Sequence, residues 1–140
     1  MFFRAMQEKY PGRLTACFGF IPELSRKVYA GSDIFLMPSK SEPCGLSQMI
    51  ALRYGAIPVV RETGGLRDSI CDSGDGNGNG FTFRNYDAFD MLGGIRRAIE
   101  GYHQRKGWKI LVERAMDSDN SWGRSANEYI KLYRNVLKEC

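Results

Sequence analysis

Residues 33–70 read DIFLMPSKSEPCGLSQMIALRYGAIPVVRETGGLRDSI. The run ending at Pro38 is continuously apolar, and so is Ala56–Val60 (AIPVV). Runs of this length without alternation suit strands buried on both faces, as in a parallel sheet. Between them Leu46–Tyr54 has helical character, with Gly55 as its C-terminal stop. Two buried strands joined by a helix make a βαβ unit, the building block of a parallel sheet.

Working outward, FFRAMQEKY reads as a helix stopped by Pro11-Gly12, and RLTACFGF (13–20) as a further strand. IPELSRKVYAGSD reads as a short helix ended by Gly31. RETGGLRDSI reads as a turn leading into irregular structure, so the centre alternates strand, helix, strand, helix, strand. After the loop CDSGDGNGNG the chain reads as three helices. In the last, Trp122, Ala126, Tyr129, Ile130, Tyr133, Val136 and Leu137 form one apolar stripe, with Ser121 as N-cap. That pattern predicts helices packed on the sheet. The fold expected is α/β: a partial Rossmann-like parallel sheet flanked by helices, with a helical C-terminal tail. Within 1–140, residues 14–85 would bind ligand and 86–140 would form the helical part.

The bulk composition narrows the function. The 140 residues are 43% hydrophobic and 26% charged, with a net charge of +4 spread along the chain. No basic run marks a nucleic-acid binder, and no apolar run reaches the ~18 residues of a membrane span. Lacking a signal peptide as well, the chain reads as cytoplasmic. Cys17, Cys44, Cys71 and Cys140 form no C-x-x-C pair and His103 is the only histidine, so no metal site is expected. Asp75, Asn77, Asn79 and Gly80 match the first half of a calcium loop, but Tyr86 stands where its closing Glu belongs.

The polar prelude to the central helix is the candidate site. In open α/β sheets ligands bind outside the carboxyl ends of the strands. SKSEPCG is such a connection; Gly45 permits close backbone approach, and the first amides of the helix would attract an anion such as phosphate. Glu42 cannot serve the same anion and would accept hydrogen bonds from neutral hydroxyls, as on a sugar. Gly64-Gly65, after the next strand, makes a second junction of the same kind. Taken alone these residues also fit a solvated Glu42 beside plain turns.

EPCGLSQ, ALRYGAIPVV and TGGLRD at these separations, with GFIPELSRKVYAGSD upstream and AMDSDNSWGRSANEYIKLY downstream, closely resemble the C-terminal domain of glycogen synthases and starch synthases. The resemblance implies a retaining glucosyltransferase with two Rossmann-like domains. Such enzymes move glucose from a nucleotide sugar, usually ADP-glucose, to the non-reducing end of an α-1,4-glucan, and need no metal or other cofactor. A plant member would sit in the plastid stroma.

Carried onto this chain, the resemblance makes Glu42 the catalytic-site carboxylate beside the donor glucose. Cys44 and Gly45 would contact the glucose hydroxyls. Leu46 and Ser47 would donate to the diphosphate. Phe20, after Gly19, would stack on the adenine, and Thr63, Gly64 and Gly65 would line the same cleft. Ile50 departs from related families, which place a ribose-binding Glu there. The family's diphosphate-binding Arg and Lys, and its N-terminal domain, would lie upstream of these residues, so the chain would be a fragment inactive by itself. The alternative is a non-catalytic nucleotide-sugar-binding or interaction module; a sucrose-synthase-like transferase fits EPCGLSQ less well.

Overall fold

The computed structural model describes residues 2–138. Its elements in chain order are α1 (Phe2–Lys9), α2 (Pro22–Gly31), β1 (Ile34–Met37), α3 (Ser47–Tyr54), β2 (Ile57–Arg61) and α4 (Gly64–Ser69). These are followed by β3 (Phe81–Phe83), α5 (Ala88–His103), α6 (Arg105–Met116) and α7 (Trp122–Lys138). The three strands pair in the order β1-β2-β3, all parallel, with Ile34 opposite Ile57 and Val59 opposite Phe81. Parallel neighbours need crossovers, which α3 and the α4 segment supply.

Local chemistry explains the boundaries. Pro22 occupies the first turn of α2, where its missing N–H is no loss. Gly55 closes α3 with φ +78, and the Ala56 amide turns back to the Ala51 carbonyl at 3.0 Å. That turn delivers the chain into β2. Asp87 caps α5 by accepting from the amides of Phe89 and Asp90.

β2 is the centre of the molecule. Ile57 through Val60 are buried, flanked by a strand on each side and covered by helices. Leu52, Leu66, Ile70, Phe81 and Phe83 join them, with Ala98 of α5 and Leu111 and Ala115 of α6. Each large aliphatic side chain buried there contributes about 1.5–3 kcal/mol. α5 comes close because Gly94 has no side chain: a Cβ there would stand 3.3 Å from Val59 Cγ1.

The α/β class and the parallel sheet flanked by helices are as expected, with four local differences. RLTACFGF forms no strand; Phe18 and Phe20 face solvent, and no half-buried sheet surface lies against the segment to reward its β-rich composition. β1 is an edge strand with Leu36 40% exposed, not buried on both faces. RETGGLRDSI makes helix α4, because the fully buried Leu66 anchors it to the core despite its two glycines. The third strand is Phe81–Phe83, too short for a periodic signal.

The C-terminal stripe also behaves unexpectedly. Ser121 does cap α7, its Oγ accepting from the Arg124 amide at 3.4 Å. Yet α7 buries no residue, and Trp122 is 88% exposed. The stripe is formed but lies on no partner among the described residues.

The Gly/Asn loop before β3 is tied to the rest of the structure through Asp72. Asp72 accepts from Arg97 at 2.7 and 2.9 Å, from the Gly74 amide at 2.9 Å and from the Thr82 amide at 2.7 Å. Partial burial raises the Asp72 pKa, but the hydrogen bonds from Arg97, Thr82 and Gly74 together outweigh it and bring it to about 2 from 3.8. Between those values the unfolded chain binds the extra proton, so stability rises with pH there. The contribution is present above about pH 4 and is lost as pH falls towards 2, on the order of 1–2 kcal/mol after solvent screening. Urea unfolding across this interval should show Asp72→Asn with a flatter pH dependence than the wild type. Identical profiles would contradict the assignment.

Candidate functional site

The loops after β1 and β2 emerge side by side, because the strands are parallel neighbours in register from Ile34/Ile57 to Met37/Val60. The sequence alone presents Pro38–Leu46 and Glu62–Gly65 as separate junctions. In the folded chain they are one structure. The Gly65 amide donates to the Glu42 carbonyl at 3.1 Å. A Cβ on Gly64 would stand 2.1 Å from the Glu42 oxygen, and one on Gly65 would stand 1.8 Å from the Cys44 oxygen. Only glycine tolerates such contact with backbone, and Gly64 also has φ +45.

Two further side chains hold the loops. Arg61, at the end of β2, donates through Nε to the Ser39 carbonyl at 2.9 Å, and through its other nitrogens to the carbonyls of Lys40 and Arg84. Its guanidinium also lies 5.8 Å from the Tyr86 ring centre. Gln48 in α3 is fully buried and donates through Nε2 to the Gly45 carbonyl at 2.8 Å, the Cys44 carbonyl at 3.3 Å and Ser69 Oγ at 3.0 Å. Ser69 Oγ in turn donates to the Gly65 carbonyl at 2.6 Å. The Gln48 Oε1 atom has no partner among the described residues. A buried acceptor left in that state costs about 1–3 kcal/mol.

Neither residue stood out as a site residue from sequence. The signal for Gln48 was present: it lies three and four residues before Ala51 and Leu52, on the buried face of α3. A polar residue at that spacing announces a buried hydrogen-bonding role. Arg61 carried no comparable mark, because its partners are backbone carbonyls of two other segments, Ser39–Lys40 and Arg84.

The expected site residues fall into two groups. Glu42, Cys44, Gly45, Leu46, Ser47, Thr63, Gly64 and Gly65 lie together on the interlocked loops and the first turns of α3 and α4. Leu46 occupies the N-cap position of α3 with no side-chain cap, and the first turn carries no acidic residue. The amides of Gly45, Leu46 and Ser47 donate to no group among the described residues. The Glu42 carboxylate is half-buried with its oxygens engaged by no group among the described residues, and the Cys44 thiol is exposed. Free donors at a helix start beside a free acceptor can hold an anion and a hydroxyl-bearing group side by side.

Gly19 and Phe20 form the second group. They lie on the irregular segment before α2, with Gly19 at φ +118 and Phe20 90% exposed. No hydrogen bond or ring contact among the described residues ties them to the loops. No group of three or more His, Cys, Asp or Glu able to hold a metal occurs among the described residues.

The profile of the glycosyl transferases group 1 family matches residues 7–111. The chain belongs to this family. It is 54% identical over 139 residues to a glycogen synthase of Bacillus cereus, and 53% identical over 140 residues to one of Geobacillus thermodenitrificans. These alignments cover 98% and 99% of the chain, which spans 29% of each relative's length. A solved structure of the catalytic domain of starch synthase IV from Arabidopsis thaliana, bound to ADP and acarbose, superposes with a TM-score of 0.84. It shares 39% identity and covers 97% of this chain and 29% of that one. A sucrose-phosphate synthase from Thermosynechococcus elongatus, 23% identical with a TM-score of 0.63 over 98% of this chain and 34% of its own, shares the fold. The resemblance to glycogen and starch synthases read from EPCGLSQ and TGGLRD is borne out. This glycosyltransferase segment also holds no helix long and apolar enough to cross a membrane among the described residues.

The glycine contact yields a paired test. Gly65→Ala should destabilise the chain by about 1–3 kcal/mol or more, since a methyl group must displace the Cys44 backbone. Gly93→Ala, in the interior of α5 with open space around it, should stabilise by about 0.5–1 kcal/mol. Chemical denaturation of both variants reads the difference; equal effects would contradict the interlocked geometry.

Proposed function

We propose that this chain supplies the donor-binding half of a glucosyl-transfer site. The donor is a nucleotide sugar, ADP-glucose or UDP-glucose. Its glucose passes with retention of configuration to the non-reducing end of an α-1,4-glucan, in glycogen or starch synthesis. The observation that carries this reading is the set of free amides at Gly45–Ser47 beside the unengaged Glu42 carboxylate, at the C-terminal ends of β1 and β2. No metal or other cofactor is required in this reading, because the α3 dipole and its amides offset diphosphate charge.

In this site the amides of Leu46 and Ser47 hold the diphosphate. Glu42 accepts from glucose hydroxyls, with Cys44 and Gly45 beside it and Thr63, Gly64 and Gly65 closing the cleft wall. Phe20 would swing its exposed ring onto the adenine. Residues 14–85 would form the nucleotide-sugar part and the chain from residue 86 onward the helical part. Transfer itself would draw on a second domain, which would also cover the bare face of α7. The working compartment would be the cytoplasm, or the plastid stroma in a plant.

A second reading, an interaction module without transfer activity, is favoured by the exposed stripe of α7, where Trp122 and Leu137 are 88% and 76% exposed. Calorimetric titration separates the two. The donor-site reading expects saturable binding of ADP and ADP-glucose. Ser47 is the first helical residue of α3; proline there removes one N–H and also strains Leu46, whose αR backbone at φ -103, ψ -29 is disfavoured before proline. A charge-assisted hydrogen bond contributes about 1.5–3 kcal/mol, so Ser47→Pro should weaken ADP about tenfold or more. Glu42→Ala should weaken ADP-glucose and leave ADP unchanged. No binding of either ligand by the wild type would contradict the reading. Glucan elongation by these 140 residues alone is expected to be undetectable; robust turnover would show that the transfer apparatus is complete within them.

A further inference from the structure

Gln48 stands out because a cheaper residue would fill its place. It is fully buried, and its Oε1 has no partner. A Met or Leu of similar volume would remove that orphan acceptor. What only a donor can do there is hold carbonyls. Nε2 donates to those of Gly45 and Cys44, and the reverse orientation of the amide would set Oε1 against the same two oxygens.

The consequence follows from peptide geometry. All peptide bonds among the described residues are trans, and across a trans peptide the C=O and N–H point in opposite directions. Drawing the Gly45 carbonyl inward at 2.8 Å turns the Leu46 N–H away from Gln48. Drawing the Cys44 carbonyl inward at 3.3 Å does the same for the Gly45 N–H. Gly45 can adopt this arrangement at φ +73, and any side chain on it would strike Gln48 Oε1, 2.6 Å from its Cβ position. The Ser69 hydroxyl, 3.0 Å from Nε2 and 2.6 Å from the Gly65 carbonyl, extends the same control to the second loop.

We propose that Gln48 is a positioning residue for the donor diphosphate. Its buried carboxamide sets two successive peptide planes so that the Gly45 and Leu46 amides face the ligand, and through Ser69 it couples the two loops of the cleft. The proposal rests on the nucleotide-sugar reading above and adds a residue that would touch no substrate.

The test compares wild type, Gln48→Met and a core control, Ile57→Val, in the full chain. ADP is titrated by calorimetry, and the N–H orientations of Gly45 and Leu46 are read from residual dipolar couplings of 15N-labelled protein. Thermal unfolding first establishes that each variant is folded at the temperature used. Gln48→Met should bind ADP about tenfold or more weakly, since small misplacement of a positioning group costs up to about a hundredfold. Its Gly45 and Leu46 couplings should change, while Ile57→Val keeps both affinity and couplings. Unchanged ADP affinity in folded Gln48→Met overturns the proposal. If the wild type binds no ADP, the nucleotide-sugar reading fails by itself, and the couplings alone decide: unchanged values overturn the positioning role, altered values support it. If Gln48→Met does not fold, Gln48→Leu takes its place, with the same couplings expected to change and the same outcome overturning the role.

Discussion

The backbone of residues 42–44 rests directly on Gly64 and Gly65, and the candidate site depends on that contact. Two loops that share no sequence continuity are brought to one edge by the parallel pairing of β1 with β2. They then interlock because neither glycine carries a Cβ. Arg61 fastens one loop from outside, while Gln48 and Ser69 fasten both from beneath. The price is one unpaired buried acceptor on Gln48. What results is a rim whose free amides and free carboxylate lie adjacent without being paired to each other.

Much of this was legible before any coordinates. The continuous apolar runs of β1 and β2, with Gly55 between α3 and β2, announced a parallel βαβ unit, because burial on two faces leaves no alternation, as at β2; β1 keeps the run although it lies at the sheet edge. The polar stretch before α3 announced a site because its residues have no packing reason to be where they are. The interlock itself was hidden. Gly64-Gly65 reads as a turn in one dimension, and its real partner is a carbonyl more than twenty positions earlier. α4 was missed for a related reason: its glycines speak against a helix, and only burial of Leu66 overrules them.

The opposite error occurred in RLTACFGF and in α7. Both have the right local pattern, a β-rich run and a clean helical stripe, and neither has a surface to lie against among the described residues. Pattern specifies which face would be buried but not whether a partner exists to bury it. The core sits on β2 with α3, α5 and α6, while the aromatic groups of α1, the 14–21 segment and α7 remain outside it. The well-packed half of the chain thus also carries the interlocked loops of the candidate site, while Gly19 and Phe20 lie outside it.

The central claim is that the amides opening α3 form a diphosphate cradle. Backbone amide resonances of the 15N-labelled chain, followed during titration with ADP, test it most directly. The account predicts saturable shifts largest at Gly45, Leu46 and Ser47, smaller ones at Gly64 and Gly65, and none in the Asp72–Gly80 loop. Shifts confined to other segments, or none at all, would contradict it.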